Sequence, residues 1–436
     1  MHRRLSIVVV AAFCALATAA VAAGDTPPEW WLHSIGADQV TAPGPGVPIV
    51  VIDGAVDATQ PAFTGRANTT YLDPQDLAGP DDYHATAVAS LAAAPDAGGF
   101  TGVYPQAVLE LWDAGRGEDG IDAGSAAQGI VTAAKHCPAV INLSFGGTEP
   151  NPDVQSAILH AVRAGCLIVA AAGNSGLDGD PQTYPASYAH VLAVGATDEQ
   201  NDPAPFSSSG NWVDLAAPGT DMSADVPLSH DSSGVSTGLA GTSFAAPLVS
   251  AAAAWIWTVR PNLSASQVAA LLRESAQPVG SQRFDPKTGY GVIDIAAALA
   301  LPAPVNDPSE PNDDIPQVKP GLFFSSGQPP ITTAGRPSIR ISGTLQQAED
   351  PLDLYRIWVP AHKTVRVSLH SNGSAVAHIW GPRTYTVDEP PVLRKRDFKG
   401  TSITGGAVGA YAYAEVALTG RSGSLSYVLA VKASTR

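Results

Sequence analysis

The chain of 436 residues is long enough for two or three domains, and with 45% hydrophobic and 15% charged residues its composition is globular, not disordered or fibrous. Its 40 Asp and Glu outnumber 24 Lys and Arg, and a formal net charge of −16 argues against a nucleic-acid partner. The acidity is unevenly spread: residues 24–319 hold 9 basic and 33 acidic side chains, whereas 320–436 hold 13 basic and 7 acidic, so two parts of different kind are expected.

At the N-terminus, Arg3 and Arg4 precede an apolar stretch from Leu5 to Leu16 and small residues around Ala19 to Ala23. This is the layout of a secretory signal over residues 1–23. Cys14, following Ala12 and Phe13, is poorly placed for lipid attachment, so a secreted, extracellular protein without a membrane anchor is expected. No later stretch reaches the roughly eighteen continuous apolar residues of a membrane span; the best, Pro247 to Val259, has the length of a core helix.

From residue 47 onward, "PIVVID", "AVINLS", "LIVAAAG" and "VLAVGAT" are continuous apolar runs, the pattern of strands buried on both faces of a parallel sheet. Between and after them, "HATAVASLAAA", "GSAAQGIVTAAKHC", "PDVQSAILHAVRAG" and "SASQVAALLRES" read as helices, and such alternation predicts a layered α/β domain over 24–300. Cys137 and Cys166 each stand seven residues before the polar or glycine end of their strand, at Ser144 and Gly173. If the strands are neighbours in that register, the Cα atoms lie roughly 5 Å apart, within disulfide range; two core thiols are the other reading.

"LPAPVNDPSEPNDDIPQVKP", residues 301–320, is dense in Pro, Asp and Asn and reads as a linker. Beyond it, "DLYRIWVP", "TVRVSLH", "YAYAEVAL" and "LSYVLAVK" alternate polar and apolar residues, which predicts a small all-β sandwich over 321–436. Its "RKRDFK" cluster at 394–399 is either a solvated loop or a contact for an anionic envelope polymer.

Ligands collect at the carboxyl ends of parallel strands. That rule selects Asp53, Ser144 and Asn174, while His84 and Ser243 stand at helix starts. A carboxylate, an imidazole, an amide and a hydroxyl make up a set for acyl transfer. Taken alone, Thr242 or Ser243 could instead be an N-cap on a core helix.

These segments resemble the subtilisin-type serine proteases, the subtilases, from about residue 30 to 300. "GTSFAAP" is similar to the family's nucleophile signature with Phe244 in place of Met, "AAAGNSG" to its oxyanion-asparagine segment, "INLSFGG" to its cleft strand, and "VDLAAPG" to the stretch before the serine. The resemblance implies a serine endopeptidase with Ser243 as nucleophile, His84 as general base, Asp53 as its orienter and Asn174 as oxyanion donor, requiring no cofactor for its chemistry. It also implies that Ser144, Phe145 and Gly146 pair with an extended polypeptide substrate, that Gly173 leaves room at the first pocket, and that Thr183 shortens this pocket toward small or mid-sized apolar P1 residues. A monomer is expected.

The departures are specific. Gly54 and Ala55 follow Asp53 where the family has a hydroxyl residue, so one hydrogen bond to the carboxylate should be missing; "HATAVAS" has Ala85 and Ser90 for two glycines. About thirty residues separate the signal from Asp53, too few for the propeptide that secreted relatives carry. Residues 306–436 resemble the pre-peptidase C-terminal domain through "DPSEPNDD". Structural calcium is possible at the acidic loop 73–82, although no regular metal-binding spacing is present. A catalytically silent peptide-binding relative and, more remotely, an esterase with its acid and histidine after the serine are the competing readings.

Overall fold

The computed structural model describes residues 29–73, 83–95, 100–115, 120–280, 284–306, 309–346, 350–387, 393–395, 401–419 and 424–434. The signal segment, nearly all of the acidic loop 73–82 and most of the basic cluster lie outside the described residues. The chain divides into two compact units between Pro304 and Val305.

The first unit is built on seven parallel strands, β1 (Ile49–Asp53), β2 (Thr69–Tyr71), β3 (Leu109–Asp113), β4 (Val140–Leu143), β5 (Leu167–Ala171), β6 (Val191–Thr197) and β7 (Leu215–Pro218), in the order β2-β3-β1-β4-β5-β6-β7. Every residue of β1, β4, β5 and β6 is buried, which is why these runs carry no polar alternation. Val51, Val140, Val169 and Val194 face one apolar core, and Ile52, Ile141, Ile168 and Ala193 face the other. After a short α1 (Trp30–Ser34), α2 (His84–Ala93) fills the first core; α3 (Ala123–Ala133) and α4 (Pro152–Ala164) fill the second; and α5 (Thr242–Val259), α6 (Ala265–Ser275) and α7 (Ile295–Ala300) return to the first. The helix ends follow local chemistry: the Asn151 side chain accepts from the Asp153 and Val154 N–H groups to start α4, and Gly165, at φ 95°, closes it in the left-handed conformation.

Two expectations are corrected here. The apolar run Pro247 to Val259 is the later part of α5, which begins at Thr242, one residue ahead of the start expected at Ser243; its 18 residues are long and apolar enough to span a bilayer, and with 83% of them buried it is the core helix of this unit. Cys137 and Cys166 do lie close, with Cα atoms 5.1 Å apart and sulfurs within bonding distance, but not by the register counted from the sequence. Val140 pairs with Leu167, which places Cys166 level with Ala139, and the cysteines approach diagonally across the strand starts.

A two-stranded ladder, β8 (Met222–Asp225) with β9 (Val235–Leu239), ends β8 on a buried carboxylate. Burial pushes Asp225 up from 3.8 to about 6, against a smaller opposing hydrogen bond from the Gln60 side chain. An acid whose folded pKa is raised contributes stability that is complete below its ordinary value and is lost as pH rises through about 6. Asp225→Asn should therefore raise the melting temperature by a few degrees at pH 8 and leave it unchanged near pH 4. Equal shifts at both pH values would show that the carboxylate's charge is not the cause.

The second unit stacks two antiparallel four-stranded sheets. β10 (Ile339–Gln346), β17 (Ser424–Ala433), β12 (Thr364–Ser371) and β15 (Thr401–Thr404) form one in that order; β11 (Leu352–Val359), β16 (Ala410–Leu418), β13 (Ala375–Trp380) and β14 (Leu393–Lys395) form the other. They share a core that includes Leu345, Ile357, Val367, Ile379, Val416 and Leu429. The segment expected to be a linker is partly built into this unit. α8 (Ile315–Val318) packs Ile315 and Val318 against Leu354, Trp380 and Tyr413, and the Asn312 carbonyl accepts from the Leu354 N–H. Two apolar residues three apart give it a face to bury that the surrounding Pro and Asp conceal.

Candidate active site

The strand order places β1 between β3 and β4, and the carboxyl ends of β1, β4 and β5 bring the selected residues together with the starts of α2 and α5. Asp53, 3% exposed, ends β1. Its Oδ1 accepts from the Gly54 N–H at 2.8 Å and lies 2.9 Å from His84 Nδ1. Its Oδ2 is buried with no hydrogen-bond partner, the bond that Gly54 and Ala55 cannot supply. Asp113 is the register neighbour of Asp53 on β3. Burial raises its carboxyl above the ordinary value; the Gly115 N–H opposes this and the charges of Asp73 and Asp53 add to it.

His84 is the first residue of α2, its side chain 26% exposed and its ring tilted against Phe244 with centroids 5.8 Å apart. The altered residues of this segment are accommodated. The Ser90 hydroxyl donates to the Ala87 carbonyl and accepts from the Asp225 N–H at 3.0 Å, so the residue that replaces a glycine fastens α2 to β8.

Gly241 is the N-cap of α5 and makes no side-chain cap bond, so neither Thr242 nor Ser243 is a capping residue. Ser243 Oγ donates to the Ser144 carbonyl at 2.9 Å. Thr242 turns to Asn174: its N–H and its hydroxyl both donate to Asn174 Oδ1 at 2.9 Å, while Thr242 Oγ1 accepts from the Gly173 N–H at 3.1 Å. These bonds fix which end of the Asn174 amide is the carbonyl and leave its NH2 group as the end offered to a ligand. Sequence reasoning missed Thr242 in this role, although its place between glycine and serine was a visible signal.

Ser144 is 1% exposed and Phe145 3% exposed, and the Phe145 ring belongs to the core on the α3 and α4 side, so only its backbone is placed to meet a ligand. Thr183, 6% exposed, stands between the two glycines of the expected pocket. A Cβ on Gly146 would fall 2.6 Å from Thr183 Cγ2, and one on Gly173, whose φ is +104°, would fall 2.6 Å from Thr183 Oγ1. Gly147 pairs with Tyr184 through both backbone bonds, which holds Thr183 against this wall.

Asp73 is the one residue of the acidic loop 73–82 among those described. In the second unit, Glu310, Asp350 and Asp353 each bring a carboxylate oxygen within 4.8 Å of the others, a donor set suited to a hard cation.

Residues 44–291 match the subtilase family. Subtilisin BL of Lederbergia lenta is 35% identical over 257 residues, covering 58% of this chain and 91% of the relative. Subtilisin DY of Bacillus licheniformis is 34% identical over 274 residues, 61% of this chain and 96% of the relative. Among solved structures, MycP1 with its N-terminal propeptide removed is similar with a TM-score of 0.53 and 28% identity, over 64% of this chain and 99% of that one. The prenylagaramide maturation protease PagA gives 0.51 and 29%, over 58% and 92%. The relatives are matched over nine-tenths of their length by the unit that holds Asp53, His84, Asn174 and Ser243, and the chain accordingly belongs to the subtilase family and is a serine endopeptidase.

Proposed function

We propose that Asp53, His84 and Ser243 form the catalytic triad and that Asn174 donates to the oxyanion. Ser243 Oγ adds to the scissile carbonyl as His84 takes its proton; the tetrahedral intermediate collapses, and the same proton leaves with the amine. Water then repeats the sequence on the acyl-enzyme and frees the second product. Asp53, bonded to His84 Nδ1, fixes the tautomer in which the other ring nitrogen can accept a proton. The negative charge that develops is met by the Asn174 NH2 group and the backbone N–H of Ser243 at the helix start.

The observation that carries this reading is the Asp53 to His84 bond at 2.9 Å beside the start of α5, which a silent peptide-binding relative has no need to keep. Labelling of the folded protein with a fluorophosphonate tests it. Modification confined to Ser243 is expected, and no modification would favour the silent reading. An esterase would need its histidine downstream, and His362, His370 and His378 all fall in the second unit.

The packing of Thr183 against Gly146 and Gly173 supports a preference for small or mid-sized apolar P1 residues, on backbone-paired polypeptides. Thr183→Gly should open the pocket and shift kcat/KM toward Phe over Ala at P1 by roughly ten-fold or more, read with a matched peptide series. An unchanged profile would place the pocket floor elsewhere. The signal-like N-terminus and the adjacent Cys137 and Cys166 support export with a disulfide formed; the β-sandwich supports a pre-peptidase C-terminal-type second domain, its basic excess suits an anionic polymer, and Glu310, Asp350 and Asp353 suit structural calcium.

A further inference from the structure

α5 carries a gap at its start. The Ser243 carbonyl would ordinarily accept from the N–H four residues on, but that residue is Pro247, which has none. Ser144 supplies the missing donor: its Oγ donates to the Ser243 carbonyl at 2.9 Å, while its own carbonyl accepts from Ser243 Oγ. The two serines clasp each other, tying the start of the helix to the end of β4.

A hydroxyl has one proton, so Ser144 can serve the Ser243 carbonyl only if its other neighbour donates to it. Asn142 does so, its Nδ2 donating to Ser144 Oγ at 2.9 Å. The other end of that amide, Oδ1, accepts from Ser250 Oγ, also at 2.9 Å, seven residues beyond Ser243 on α5. The bonds run in one direction from Ser250 through Asn142 and Ser144 to Ser243. With the amide turned over, the Ser144 proton would be drawn to Asn142 and the Ser243 carbonyl would lose its donor.

Asn142 and Ser250 are fully buried. Asn142 sits mid-sheet with Val51 and Val169 as its register neighbours, where an amide is costly unless both its ends are satisfied and an aliphatic side chain would be the simpler occupant. The geometry assigns Asn142 and Ser250 as positioning residues for Ser243. By setting the direction of the Ser144 hydroxyl, they hold the nucleophile's backbone in register with the strand that receives the substrate. The assignment rests on Ser243 being the nucleophile.

The test compares Asn142→Ala, Ser250→Ala and Ser250→Thr with wild type, using a short chromogenic peptide and active sites titrated with a fluorophosphonate. Per titrated site, kcat should fall about ten-fold in Asn142→Ala and about three-fold in Ser250→Ala, with KM within about two-fold and Ser250→Thr close to wild type. A purely structural role would lower the melting temperature or the fraction of titratable sites while leaving kcat per site unchanged, and that result overturns the assignment. If Asn142→Ala does not fold, the Ser250 pair decides by the same criterion. Labelling at a residue other than Ser243 would be a failure of the nucleophile reading itself, and it is seen in wild type before any variant is measured.

Discussion

Ser243→Ala should lower kcat by roughly 10⁶-fold and abolish fluorophosphonate labelling, a magnitude carried over from subtilisin itself. The variant should fold. The substitution removes one hydroxyl and its bond to the Ser144 carbonyl, a loss of about 1 kcal/mol, while the reverse bond from Ser144 Oγ to the Ser243 carbonyl remains. The expected pattern is therefore an intact melting transition with hydrolysis near background. Hydrolysis retained within about a hundred-fold of wild type in a folded sample would mean that another group is the nucleophile.

Asn174→Ala should reduce kcat by on the order of 10²–10³ with little change in KM, again the size known from subtilisin. On the proposed assignment the reason lies in when the bond forms: an NH2 group that serves the oxyanion more than the ground-state carbonyl is missed in the transition state. This variant has a second, separable effect. Thr242 is fully buried and spends both its N–H and its hydroxyl on Asn174 Oδ1, so removing the amide strands two donors at a cost of about 1–3 kcal/mol for each that stays unsatisfied. A drop in melting temperature alongside the drop in kcat is expected, and kcat per titrated site separates the two. A raised KM with kcat unchanged would move Asn174 from transition-state stabilisation to substrate binding.

The strands that build the site were legible because both their faces are buried: "VLAVGAT" is β6 from end to end, and "PIVVID" and "AVINLS" overrun β1 and β4 by one or two residues. β3 escaped notice because Glu110 interrupts its apolar run, and the structure shows why it can, with its carboxylate 2.6 Å from His136 Nδ1 at the rim. The residues at strand and helix ends could be selected because the chemistry there is local. Asn142 could not be weighed in the same way: its partners Ser144 and Ser250 lie on two different elements, and within "AVINLS" it looks like a minor blemish in a strand. The cysteine register failed for a related reason. Counting to the polar ends assumes that both strands end level, whereas the ladder pairs Val140 with Leu167.

The sheet order has a consequence for how the first unit comes into being. β1 is laid down first in the chain yet sits between β3 and β4, whose residues lie about 60 and 90 positions later, and none of its ladder bonds is to an adjacent segment. Closing such loops costs entropy before any contact repays it, so the central strand has no local route to its place. The same separation acts in reverse once the sheet is complete. Removing β1 means breaking both of its ladders and opening both apolar cores together, with no small step by which the strand can fray. Slow arrival and slow departure are thus one property of this topology: the barrier that makes the sheet hard to assemble is the same barrier that opposes its unfolding.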